Sequence, residues 1–247
     1  MVLKLYSHGI STSAQRVICV LVEKKVPFEI IEVDIVKGEH KEPAYKEMQP
    51  WGLLPVLVSY FIRCVQVKRN TEPAQEEENG FRLYESRAIC RYIAEKYADQ
   101  GTQLVPDPTD LEARGLFEQG LAMEAGTVDP CVFAALNEKL FKPFKTGASC
   151  DDELYVVLLK RVELVLDVYE VILGKQRYIG GNQYSLADIY HLPNGFALQT
   201  QCDEQVFLSE KRPNVARWWS EITGRDAWKQ VGELNKPGMH TLESKSM

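Results

Sequence analysis

Four short stretches of this chain carry side chains that could act on a small charged molecule. The first is SHGISTSAQR, where Ser11 stands at the start of an expected helix. A serine there is an ordinary N-cap, satisfying N–H groups that the first helical turn leaves open. The same hydroxyl can also donate to an anion held at the helix end. A thiolate is such an anion, and lowering a thiol's pKa from about 8.5 raises its reactive fraction at neutral pH. Thr12 and Ser13 compete for the role, so spacing leaves the choice open. The second stretch is Leu54-Pro55. It reads either as a strand start or as a cis bond, found in about 5–6% of X–Pro bonds. A cis bond would offer the Leu54 main chain to an extended peptide. The third is Glu85-Ser86. Ser86 reads as the cap of a helix beginning at Arg87. With open N–H groups, such a cap can also hold a carboxylate, while Glu85 pairs with an ammonium. An α-amino acid presents both groups on one carbon. The fourth, His40-Lys41, is either a solvated pair or an anion clamp.

The elements that must position these residues follow from periodicity. VLKLY (2–6) is a β-type run. STSAQRVICVLVEKK has Val17, Ile18, Val20 and Leu21 at helical spacing and ends in two lysines. FEIIEVDI (28–35) alternates as a strand does. One sheet containing β-α-β in this order has a right-handed crossover and a parallel pair. LLPVL and FRLY (81–84) supply two further strands, and ESRAICRYIAEKYAD a helix with Ile89, Ile93, Ala94 and Tyr97 on one face. The Pro-rich stretch 99–110 is the expected linker. Beyond it, residues 111–145, 152–173, 185–201 and 213–223 all have helical spacing. Ser185 and Asp188 have the spacing of a capping box. Pro213 suits a first helical turn. The fold class expected is α/β for the first part and all-α for the second. The domains run over 1–98 and 109–235.

Composition removes several function classes. The 247 residues are 45% hydrophobic, enough for a packed core in one or two domains of roughly 150 residues each. A formal charge of −6 without a basic run argues against a nucleic-acid partner. No apolar run approaches the roughly 20 residues that span a membrane, and MVLKLYSHGI lacks the features of a secretory signal. None of the six cysteines forms a CxxC pair, and the four histidines are scattered. We therefore expect a reduced, cytoplasmic protein with no metal site.

Taken in order, these motifs resemble the glutathione transferases, most closely the phi class and its fungal members. The resemblance rests on HGISTSAQRV, KGEHK, PWGLLPVL, LYESRAICRYIAEKYADQGTQLVP, ILGKQRYIGG, SLADIYHLP and KRPNVARWW. It implies a thioredoxin-like N-terminal domain that binds glutathione, and a helical C-terminal domain. It makes Ser11 the hydroxyl that stabilises the glutathione thiolate, and His40 and Lys41 the holders of the glycine carboxylate. Leu54, before cis Pro55, would pair its backbone with the cysteinyl part. Glu85 and Ser86 would take the γ-glutamyl ammonium and carboxylate. Asp188 would cap a buried helix end and serve folding. The thiolate would attack small hydrophobic electrophiles beside the helical domain, with Ile10, Phe117 and Met123 as apolar wall or as core. Glutathione would be the co-substrate, with no other cofactor. A homodimer, a detoxifying role and reduction of hydroperoxides are also implied. Serine at position 11 argues against mixed-disulfide chemistry. A non-catalytic ligand carrier or regulator of this fold is the alternative.

Two departures stand out. Leu53 replaces a frequent Gln and cannot donate, removing one contact worth about 0.5–1.5 kcal/mol. Trp51 replaces a usual Phe and is expected to pack. In addition, the connection between LLPVL and FRLY is too long for a hairpin loop of roughly 2–5 residues. Removing Val58 to Gln75 leaves LLPVL-EEENG-FRLY, a hairpin with Asn79-Gly80 as its turn. The segment is either an added edge strand or lid, or a translated intron. The second reading fits better: Val-Ser can be encoded GTAAGT or GTGAGT and Gln by CAG, the usual intron ends.

Overall fold

A computed structural model of the chain describes residues 2–64, 75–78 and 80–234. The chain divides into two compact units. One runs to Gly101 and is rejoined by the chain from Gln230; the other is Thr102–Lys229. The boundary lies within the expected linker.

In the first unit, β1 (Val2–Ser7) alternates buried Leu3 and Leu5 with more exposed neighbours. It feeds α1 (Thr12–Glu23), whose Val17, Ile18, Val20 and Leu21 are buried. β2 (Phe28–Glu32) pairs parallel with β1. It ends before the expected Ile35 because Asp34 organises a turn: its Oδ1 accepts from Val36 N–H at 3.0 Å and Lys37 N–H at 2.9 Å. After a short turn of 3-10 helix at Glu39–Lys41 comes α2 (Pro43–Lys46).

β3 (Val56–Cys64) pairs antiparallel with β1 from Tyr6↔Val56 to Val2↔Tyr60. β5 (Arg82–Tyr84) pairs with residues 56–58 of β3, and β4 (Gln75–Glu78) with residues 61–64. Val58 and Ser59 are buried, so the unusual segment enters through the sheet itself. Ser59 N–H donates to Phe81 O at 3.0 Å. The connection 65–74 and the packing of Phe61 and Ile62, on which a lid would depend, lie outside the described residues. α3 (Ser86–Lys96) packs against α1 through Ile89 and Ile93.

The second unit is helical. Residues 111–146 are not one helix but α4 (Leu111–Met123), α5 (Asp129–Leu136) and α6 (Lys142–Thr146), separated by π turns at Glu124–Val128 and Asn137–Phe141. Each π turn ends just ahead of a proline, Pro130 or Pro143. Proline has no N–H and crowds the carbonyl four residues back, so the widened turn absorbs the defect. α7 (Asp152–Leu173) buries Tyr155, Val162, Leu166, Tyr169 and Leu173 on one face. The helical spacing expected over 185–201 corresponds to α8 (Leu186–Ile189) and α9 (Leu192–Gln201), with Pro193 in the first turn of α9. α10 (Pro213–Thr223) buries Trp218 and Trp219, and α11 (Asp226–Leu234) follows.

Candidate functional site

The sheet register gathers the chemistry-bearing residues at one end of the first unit. Tyr6, Val56 and Tyr84 lie in one cross-strand row. One residue further along come Ser7, Pro55 and Glu85, and beyond them the loop to Ser11, Leu54 and Ser86.

Ser11 caps α1 with φ −77° and ψ 103°. Its Oγ accepts from Ala14 N–H at 3.2 Å. Capping uses a lone pair and leaves the hydroxyl proton free to donate. Thr12 and Ser13 fall inside the first turn, so Ser11 alone of the three occupies the cap. The Thr12 and Ser13 N–H groups have no partner among the described residues, as expected for a first helical turn. One O–H and a helix end thus favour an anion here. The loop before Ser11 is held by Ser11 N–H to His8 O at 2.9 Å and Gln15 Nε2 to Gly9 O at 3.1 Å. Ile10 in that loop is half exposed.

Glu85 has φ +70°. A left-handed conformation at a non-glycine residue costs of order 1–3 kcal/mol and concentrates at functional sites. Glu85, not Ser86, is the N-cap of α3, and its side chain makes no capping bond. Ser86 is the first helical residue rather than the cap expected for a helix starting at Arg87. Its Oγ accepts from Arg16 Nη1 at 2.9 Å. Ser86 therefore keeps its own proton to donate, with a buried guanidinium behind it. Sequence reasoning missed Arg16, which is 1% exposed. The available signal was a lone cation on the apolar stripe of α1.

The Leu54–Pro55 peptide is cis. The β3 ladder starts at Val56, and the Leu54 N–H and C=O have no partner among the described residues. The Leu54 side chain packs on Val33, Tyr45, Val56 and Val58. Tyr45 Oη donates to Leu53 O at 2.9 Å, and Lys41 Nζ donates to Gly52 O at 2.7 Å. Gly52 has φ +58°, and a Cβ there would lie 2.5 Å from His40 O, so the turn requires glycine. His40 Nδ1 is buried without a partner among the described residues. Burial, and next the charge of Lys41, hold the His40 pKa below its ordinary value. Trp51, expected to pack, is instead 69% exposed. It belongs to a tight turn in which its N–H bonds Gln49 Oε1.

Two expected pocket residues lie in the helical unit. Phe117 is fully buried and serves its core; Met123, at the end of α4, is half-buried. In the same unit Asp188 is fully buried. Its carboxylate accepts from Ile179 N–H at 3.0 Å, Ser185 N–H at 2.9 Å and Trp218 Nε1 at 2.8 Å, completing a capping box with Ser185. Burial pushes its pKa up to about 6. Among the described residues, no three His, Cys, Asp or Glu are grouped to hold a metal, and no helix is long and apolar enough to cross a membrane.

Comparison with known proteins places this geometry in context. Residues 10–96 match the glutathione S-transferase N-terminal domain family, and residues 133–226 the glutathione S-transferase C-terminal domain family. Glutathione S-transferase hmp2 of Hypomyces subiculosus is 39% identical over 92% of this chain and 96% of its own length. Glutathione S-transferase F9 of Arabidopsis thaliana is 37% identical over 94% of this chain and 96% of its own. Among solved structures, glutathione transferase F2 from Populus trichocarpa superposes with a TM-score of 0.79 at 36% identity, covering 96% of this chain and all of that one. Maize glutathione S-transferase I, solved with an atrazine–glutathione conjugate, gives 0.78 at 27% identity, covering 96% of this chain and 99% of that one.

Proposed function

This chain belongs to the glutathione transferase family, in its phi-like class, and from that premise we propose how it performs glutathione conjugation. Ser11 Oγ–H donates a hydrogen bond to the glutathione sulfur and, with the open end of α1, stabilises the thiolate after the thiol proton has passed to solvent. The thiolate then attacks a hydrophobic electrophile, forming a C–S bond as the leaving group departs as an anion. The observation that carries this reading is the Ser11 geometry: the cap bond to Ala14 N–H occupies an acceptor site only. Leu54 pairs its free main chain with the cysteinyl backbone. Ser86, charged from behind by Arg16, binds the γ-glutamyl carboxylate, and Glu85 its ammonium. His40 and Lys41 take the glycine carboxylate. Ile10 and Met123 are the proposed apolar contacts of the electrophile; the full burial of Phe117 favours a packing role instead.

The same thiolate would also reduce hydroperoxides, and a cytoplasmic homodimer is the proposed working form. Residues 58–75 are proposed to be a translated intron rather than part of that form. Conjugation of glutathione to a chlorinated nitrobenzene tests the central role. Ser11→Ala should lower turnover about a hundredfold, the scale of losing one donor to a reacting anion, while glutathione still binds. Equal turnover in both proteins would remove Ser11 from the mechanism.

A further inference from the structure

The loop that carries Ser11 contains a histidine that the mechanism above does not use. His8 follows β1 directly, and its side chain is 19% exposed. Its Nδ1 accepts the N–H of Ile10, two residues on, at 3.3 Å. Its carbonyl accepts the N–H of Ser11 at 2.9 Å. Because Nδ1 accepts, the ring proton sits on Nε2, which faces Glu32 Oε1 of β2 at 3.6 Å. Imidazole, carbonyl and β2 carboxylate together brace the three residues between the sheet and Ser11.

We propose that His8 is a positioning residue for the reaction: its imidazole locks the His8–Ser11 loop so that the Ser11 hydroxyl is aimed at the sulfur of glutathione. The inference rests on the assignment of Ser11 to the thiolate. The side-chain bond to an N–H two residues ahead is the contact an Asn or Asp makes in an Asx-turn. Asn at position 8 therefore supplies the same acceptor without an imidazole, and Ala supplies none. Gln is one methylene too long to close the same ring.

Both readouts come from the full-length protein with glutathione: the pH titration of thiolate absorbance in the binary complex, and kcat and KM for glutathione. His8→Ala should lower kcat about threefold to tenfold, the value of one hydrogen bond. It should raise the pKa of bound thiol by about half a unit to one unit, with KM nearly unchanged. His8→Asn should recover most of both losses, and His8→Gln should not. Thermal unfolding of each variant separates a loop effect from loss of fold. If Ser11→Ala shifts the thiol titration but His8→Ala does not, the proposal is overturned. It is equally overturned if His8→Asn behaves like His8→Ala. If Ser11→Ala itself leaves the titration unchanged, the assignment of Ser11 fails instead.

Discussion

Two serines at helix starts use the same device. Ser11 accepts from Ala14 N–H and Ser86 accepts from Arg16, so each has its lone pair occupied and its proton available. His40 stands in a different state. Its pKa is held down, chiefly by burial, so it is neutral at pH 7 and a weaker partner for a carboxylate. As the pH falls through that lowered pKa, His40 gains charge and its bond to the glycine carboxylate strengthens. Affinity for S-methylglutathione, which has no thiol to ionise, should therefore rise about threefold to tenfold as the pH falls from 7.5 through that lowered pKa, the difference between neutral and charged hydrogen bonds. Equilibrium titration should find the rise abolished in His40→Gln; a wild-type affinity for this ligand that falls with pH contradicts the assignment. The Ser11 cap and the cis option at Leu54–Pro55 were legible from local signals. Arg16 was not, because its partner lies seventy residues away. On a single helix, a charge reads as a solvated face.

At the scale of elements, local defects escaped the sequence reading. The two π turns perturb helical spacing too briefly to register over 111–145. The end of β2 is set by one side chain, Asp34. The capping box was legible from Ser185 and Asp188, and it carries a stability prediction. The folded-state pKa of Asp188, about 6, lies above its ordinary value of 3.8. The folded protein therefore binds that proton more tightly than the unfolded chain does. The group's stabilising contribution is complete below about pH 4 and is lost as the pH rises through about 6. The thermal-stability advantage of wild type over Asp188→Asn should shrink across that window; a growing advantage contradicts it.

The hairpin offers another test. Without residues 58–75, Leu57 joins Glu76, the Val56↔Tyr84 and Leu57↔Leu83 pairs remain, and Glu76 falls opposite Arg82. Opposite charges across a ladder are favourable. The burial of Val58 and Ser59 is the opposing consideration. A variant lacking 58–75 should fold and conjugate glutathione at least as well as the longer chain. Tryptic peptides from within 58–75 in protein from the native source would refute the intron.

At the scale of the molecule, the division into an α/β unit and a helical unit was legible because strand signals stop near residue 100. α7 has a second apolar stripe opposite its buried face: Val157, Leu164, Val168 and Val171 are each about half to two-thirds exposed. Such a stripe favours a covered surface in the working form. Sedimentation should give twice the mass of one chain, falling towards one on Leu164→Glu; a wild-type monomer at micromolar concentration contradicts the dimer. The central claim is that Ser11 and the end of α1 hold glutathione as its thiolate. The pKa of the bound thiol, read from thiolate absorbance, tests it most directly. It should lie well below about 8.5 in wild type and return towards that value in Ser11→Ala. A bound thiol that titrates alike in both proteins would contradict the account.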